Sequence, residues 1–390
     1  MIRPVKPFGL TITFALFLCS KGLLISDLHA QETTSDSNPA TWHEKMEVNG
    51  DFRFRWEGYF KENQATRHRG RFRLRLNMGT AITDELDFGV RLSSGDPGNP
   101  GSGNQPMGEF FTRKTLNIDR AFLSYTPKAV PSVTLGGGKF GYPLTRTEMI
   151  WDNDINWEGT YQHLSIDNGG PATFKLTAVQ SPLNEIKRSN DSFLFAQAAE
   201  INFGLGKHSL KLALTNYTFR EIDQVALASE AKELRTHNTN LLRRDREGFN
   251  VIGFLSDFNL VDVIAGVTFD TGNPDYPVSI LGDWVTNTRA ATEDDTGIWV
   301  TSQYGRANAP GTFSISYTFA HIEQEAVVSN FAFSEMPGSN LRLHMPKFSL
   351  SIKKGLKFNL EGFISKSILS DTPDQERWLK RIHTALLLSF

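Results

Sequence analysis

Five arginines stand at alternate positions in two nearby stretches: Arg53 and Arg55 in GDFRFRWEGYF, then Arg71, Arg73 and Arg75 in RGRFRLRLNM. A guanidinium keeps its charge at any working pH and offers a planar fork of donors that matches carboxylate or phosphate. A row of them on one surface is an anion-attracting wall. Like charges facing each other across paired strands repel, so such a wall needs water or carboxylates around it. Arg91 and Arg120 are further candidates for the same wall. Acid comes later in the chain, as Glu148, Asp152 and Asp154 in GYPLTRTEMIWDNDIN and then Glu158. A basic wall facing an acidic segment sets a field across the gap, and charged linings of this kind select ions by charge and width. Because arginine is weakly hydrated and binds anions bidentately, the expected bias is a mild preference for anions.

The elements that must carry these groups are strands. In Val48–Glu57 the residues Val48, Phe52, Phe54 and Trp56 alternate with Asp51, Arg53, Arg55 and Glu57. In Arg71–Met78 the residues Phe72, Leu74, Leu76 and Met78 alternate with the arginines and Asn77. Successive strand side chains point to opposite faces, so the pair has one apolar wall and one arginine wall. Similar segments recur along the chain, separated by turn residues, and seventeen can be marked between Val48 and Phe390. A membrane barrel of one bacterial chain takes an even number. Long links alternate with short turns from both termini, and the two rhythms collide between Gly248 and Phe269. Assigning Phe249–Phe258 to the long polar segment before it, or to the top of one longer strand, restores sixteen; eighteen is the alternative. Asp96–Gly108 (DPGNPGSGNQPMG) reads as loop throughout, and Val225–Leu234 has helix-like spacing within the polar stretch Arg220–Arg246. The fold expected is all-β: a transmembrane antiparallel barrel with short periplasmic turns and long extracellular loops.

Length and composition fit this. The chain has 390 residues, with no sign of a second domain between 46 and 390. Residues 1–30 read as a secretory signal, with Arg3 and Lys6, the apolar run Leu10–Leu18, and Ala30 before Gln31. Residues 31–45 form a polar lead-in. The single cysteine, Cys19, lies in the signal, so neither disulfides nor cysteine metal sites are expected after it. The formal net charge is −2, and the signal carries +2 of it, leaving −4, which argues against general nucleic-acid binding. No later stretch has the eighteen apolar residues of a membrane helix. The last segment, Trp378–Phe390, places Ile382, Thr384, Leu386, Leu388 and Phe390 on one face; such an apolar face on an edge strand would invite aggregation in water.

Catalytic and metal signatures are weak. Gly136-Gly137-Gly138 lacks the spacing and the following Lys-Ser/Thr of a phosphate loop. The histidines form no pair at ligand spacing, and there is no G-x-S-x-G elbow. No catalytic residue, metal or cofactor is expected. Trp56, Tyr59, Phe60, Trp157, Tyr161, Trp284, Trp299, Tyr304 and Tyr317, near strand ends or on outward faces, are candidates for interfacial girdles.

Several stretches together carry a family resemblance: GDFRFRWEGYF with RHRGRFRLRLNMG, IDRAFLSYTP, GGGKFGYPLTRTEMIWDNDINWEG, ILGDWVTNT, TFSISYTFAHIEQEAVVSNFAFSE and the terminal strand ending in Phe390. The chain resembles the porin family of Gram-negative outer-membrane β-barrels. The resemblance implies a water-filled channel for passive diffusion of small hydrophilic solutes, located in the outer membrane. It implies recognition of the Phe390 strand by the barrel-assembly machinery, and a homotrimer as a family-level expectation. It also suggests that Gly141–Asn156 folds inward as a constriction loop, the alternative being a surface loop. Two other readings stay open: a secreted soluble β-sandwich that binds a glycan or surface polymer, and an outer-membrane barrel enzyme.

Overall fold

The computed structural model describes residues 45–390 apart from 168, 188–189, 371 and 373–374. The expected signal, and the lead-in up to residue 44, lie outside the described residues.

The alternating segments pair as strands that run antiparallel around a closed wall. They are β1 (Glu47–Lys61), β2 (Arg67–Thr83) and β3 (Leu86–Ser94), with the two-residue β4 (Gln105–Pro106) laid against β2. The wall continues as β5 (Leu116–Tyr125), β6 (Val133–Phe140), β7 (Trp157–Asp167), β8 (Ala172–Asn184), β9 (Ser192–Leu205) and β10 (His208–Arg220). A long link then carries helix α1 (Asp223–Glu230) and the small pair β11 (Leu242–Arg244) and β12 (Val251–Phe254). Strands β13 (Asn259–Phe269), β14 (Val278–Asn287), β15 (Thr296–Gly305), β16 (Phe313–Ile322), β17 (Leu341–Lys353), β18 (Leu356–Ser367) and β19 (Leu379–Ser389) complete it. Leaving out β4, β11 and β12, the staves number sixteen. Of the two counts open from the sequence, eighteen is thereby excluded. The surplus segment Phe249–Phe258 is neither a stave nor the top of one, since its strand pairs within the long link. Asp96–Gly108 is not wholly loop, because β4 turns back to bond Arg71 and Phe72.

Closure is made between β1 and β19, in register from Asp51↔Ser389 to Lys61↔Leu379. Phe390 extends the seam: its N–H donates to the Gly50 carbonyl at 3.0 Å, and the Gly50 N–H donates back at 2.9 Å. A Cβ on Gly50 would lie 2.4 Å from the Arg75 carbonyl oxygen and 2.9 Å from the Phe390 ring, so the seam closes only over glycine. A sheet closed in this way has no free edge, which excludes the two-sheet sandwich. Asp84-Glu85, Gly206-Lys207 and Lys354-Gly355 are tight turns at one end. The links 95–115, 141–156, 221–258 and 323–340 are all at the other.

The outer face is apolar, with Phe52, Phe54 and Trp56 exposed on β1 and Trp284, Ile298, Tyr304, Ile315, Tyr317 and Leu386 exposed farther round. Backbone groups are satisfied by the ladder, which is what lets strands cross lipid. Not every expected girdle residue is on this face. Trp157, Tyr161 and Trp299 are buried inside the barrel, and Tyr59 shares the inward face of Glu57. Register is the reason: Trp157 faces inward Phe140, and Tyr161 faces Gly136. A Cβ at Gly136 would fall 2.0 Å from the Tyr161 ring, which accounts for a glycine there without any phosphate chemistry.

Inside, the barrel has a core. Loop 141–156 sends Met149, Ile150 and Trp151 against wall residues Tyr217, Phe219 and Trp157. Loop 323–340 adds Val327, Val328, Phe331, Phe333 and Met336. The two loops bond backbone to backbone: the Asp152 N–H donates to Phe331 O at 2.8 Å, and the Phe333 N–H to Glu148 O at 3.0 Å. Trp151 stacks on Phe331 with centroids 4.8 Å apart. Asn240, from the long link, donates to the carbonyls of Gln324 and Val327 at 2.7 and 2.9 Å. The long-loop end is thus an interlocked insert, not a set of free surface loops.

Candidate functional site

The arginine wall and the loop acids meet inside this barrel. Alternation along β1 and β2 turns Arg53, Arg55, Arg71, Arg73 and Arg75 inward, and direct pairing sets Arg53 opposite Arg73 and Arg55 opposite Arg71. Their repulsion is met by carboxylates on the same strands and on the loops. Asp51 takes Arg73 at 2.8 Å, and Asp154 takes Arg75 directly and Arg73 at 3.7 Å. Glu57, fully buried, receives Arg55, Arg69 and, at 3.4 Å, Arg71. Arg55 also reaches Glu335 of loop 323–340 at 2.6 Å. Arg91 pairs with Asp119, and both Arg91 (3.0 Å) and Arg120 (2.7 Å) donate to Asn156 Oδ1. Arg53 stands apart: its guanidinium donates to Asn104 Oδ1 at 2.8 Å, and no ion pair involves it among the described residues.

A cavity of about 210 Å³ lies among these groups. Five cations line it (Arg53, Arg55, Arg73, Arg75, Lys347), as do five acids (Glu148, Asp152, Asp154, Glu335, Glu361). Lys347 and Glu361 are joined at 2.5 Å.

The loop acids are not equivalent. Burial works against the charge of Asp154, but Arg75, Arg73 and the Gly103 N–H (3.0 Å) overcome it and hold the carboxylate well below its ordinary range. Glu335 is lowered in the same way by Arg55 against its own burial. Enclosure in the barrel, followed by the charge of Asp152, raises Glu148. Burial, followed by the charge of Asp154, raises Asp152, although the Ser334 and Asp154 N–H groups both donate to it. One loop therefore holds one firmly ionised acid and two that keep their protons more readily.

One sequence candidate is misplaced. Glu158 follows inward Trp157 by one residue, so it points outward, where it pairs with Lys139 at 2.5 Å. Period-two geometry forbids it from joining Asp154. Conversely, Glu335 and Glu361 were not among the sequence candidates. Glu361 could have been found from the inward alternation of β18. Glu335 lies in a loop with no such periodicity, and only the fold brings it to Arg55. Glu57, Glu335 and His383 also approach at a spacing that could suit a metal, but the guanidiniums on both carboxylates already supply the positive charge.

Comparison with known proteins can now be set beside this geometry. Residues 60–245 match the family described as "Putative porin". Over this stretch, just under half of its length, the chain is similar to that porin family. Nothing matches among curated protein sequences. Among solved structures, OprB of Pseudomonas putida aligns with a TM-score of 0.57 at 12% identity, covering 89% of this chain and 94% of that one. OmpF of Salmonella typhi, solved in complex with daunomycin, aligns at 0.52 and 10% identity, covering 88% and 97%. OmpT, an outer membrane protein of Vibrio cholerae solved with a loop deleted, aligns at 0.50 and 8%, covering 89% and 100%. At such identities the likeness is one of fold, the closed porin barrel. The family match adds the role: this porin forms an outer-membrane channel.

Proposed function

We propose that the porin passes small hydrophilic solutes by diffusion through the gap between its arginine wall and the two inserted loops, with a mild preference for anions. The observation that carries this is the charged cavity: inward arginines on β1 and β2 line a space of about 210 Å³ together with Asp152, Asp154 and Glu335. With every group ionised the lining is neutral. Glu148 and Asp152, raised by burial, carry less than full charge near neutrality, and the excess is then positive. Arg53, Arg55, Arg71, Arg73, Arg75, Arg91 and Arg120 make the basic side of the field, and Glu148, Asp152 and Asp154 the acidic side. Loop 141–156 is the constriction loop. The charged groups orient solute instead of transforming it, so the protein works as a channel and not as an enzyme. Export by the signal at 1–30, engagement of the assembly machinery by the Phe390 strand, and a trimeric state in lipid belong to the same reading.

Reconstitution in planar bilayers under a KCl gradient tests it. Discrete conductance steps with a reversal potential on the anion side are expected at neutral pH. Absence of steps, or clear cation preference, overturns the proposal.

A further inference from the structure

We propose that the inner wall opposite the arginines holds a divalent, oxygen-seeking cation, calcium by preference, on Asp262, Asp283, Thr215 and the constriction-loop residue Thr147. Asp262 on β13 and Asp283 on β14 are diagonal neighbours on the inward face, paired with Val285 and Ile264 respectively. Their carboxyl groups lie within hydrogen-bonding reach of each other. Thr215 on β10 sits directly opposite Asp262. All three side chains are buried, at 1%, 2% and 1% exposure for Asp262, Asp283 and Thr215. With both acids ionised, Asp262 Oδ1, Asp283 Oδ1 and Thr215 Oγ1 are each without a hydrogen-bond partner. The Thr147 hydroxyl donates to Asp283 Oδ2. Among the described residues no lysine, arginine or histidine forms an ion pair with either carboxylate. The surroundings are apolar, with Leu260, Ile264 and Val285 fully buried alongside.

Two buried carboxylates without a counter-charge must share a proton or hold a cation. A shared proton joins the two acids but leaves the Thr215 hydroxyl unanswered. A cation engages all three unpartnered oxygens together. The donors are all oxygen, with neither nitrogen nor sulfur, which selects a hard ion over zinc or copper. Calcium accepts irregular sets of six to eight oxygens, including bidentate carboxylates, whereas magnesium retains waters and strict octahedral geometry. Through Thr147 the ion would pin the constriction loop to β13 and β14.

The test uses the refolded full barrel, stripped with chelator and titrated with Tb³⁺ as a luminescent substitute for calcium. The hydroxyls of Tyr142 and Tyr217, 2.7 Å apart and close to the acids, mark the phenols that would sensitise it. Expected is one saturable site per chain, displaced by Ca²⁺ better than by Mg²⁺ and lost in the Asp262→Asn/Asp283→Asn double variant. Heat-modifiable gel migration establishes that each variant is folded. Should the double variant not fold, the near-isosteric Thr215→Val carries the test, with Tb³⁺ affinity reduced at least about tenfold, since losing even a group that only orients a metal's ligands costs about 10–100-fold. No saturable site in the wild type, a signal that persists in the double variant, or unchanged affinity in Thr215→Val overturns the proposal. Binding is read without current flow, so this outcome is independent of channel activity.

Discussion

Arg53→Gln isolates the charge of the arginine wall with little structural cost. Arg53 is bound to Asn104 Oδ1 and has no carboxylate partner to strand. Glutamine keeps an N–H donor for that contact and removes one positive charge from a lining that holds five cations and five acids. For a monovalent ion passing about 8 Å away, the Coulomb energy is about 0.5 kcal/mol in bulk water and about 2 kcal/mol at an effective dielectric constant of about 20. Screening over a Debye length of about 10 Å reduces these to about 0.2 and about 1 kcal/mol. The effect has opposite sign for chloride and potassium, so it counts twice in their ratio. The chloride-to-potassium permeability ratio should then fall by about 2-fold at the weak limit and by about 20-fold at the strong one. The assay is the reversal potential of the wild type and the variant in the same KCl gradient. A potential unchanged within error would refute the reasoning, leaving the arginines as braces of the wall whose field passing ions do not feel.

Two further outcomes follow from the same geometry. Burial carries Glu148 up to about 8 and Asp152 up to about 7, so raising the pH from about 6 to about 9 adds negative charge beside the arginines. Anion preference should decline over that interval. Acids raised in the folded state give stability that is full below their unfolded values and lost as pH rises through the folded ones, so the loop should also be seated less firmly at the alkaline end. Reversal potentials and thermal melts across this range check both, and a flat profile counts against the assignment. Trp151→Ala removes a side chain 1% exposed, stacked on Phe331 and edge-on to Trp157 at 5.0 Å. Such core truncations cost about 3–5 kcal/mol. Because the lost contacts join loop 141–156 to loop 323–340, the melting temperature should drop and single-channel conductance should rise; unchanged conductance would show that the loops do not set the bore.

Much of this was legible in the residues because strand geometry is a local property. Period-two alternation set the two faces of β1 and β2, and the even-number rule exposed the surplus segment at Phe249–Phe258 before any pairing was visible. Alternation also turns Glu158 outward once Trp157 faces inward, but the face of Trp157 is decided by its pairing with Phe140. The aromatic girdle was partly misread for a related reason: Trp157, Tyr161 and Trp299 have the composition of interface residues, but their face depends on register with Phe140 and Gly136 and on what lies inside.

By itself the sequence determined an all-β chain whose strands carry an apolar face and, on β1 and β2, an arginine face, since alternation and turn chemistry act over a few residues. Tertiary structure alone decided what fills the wall. Loops 141–156 and 323–340 lack any period, and their meeting through Asp152 with Phe331 and Glu148 with Phe333 joins segments nearly two hundred positions apart. The same holds for Glu335 on Arg55 and for the Asp262–Asp283 pair under Thr147. Burial and charge neutralisation by distant chain drive these contacts, and no spacing along the sequence encodes them.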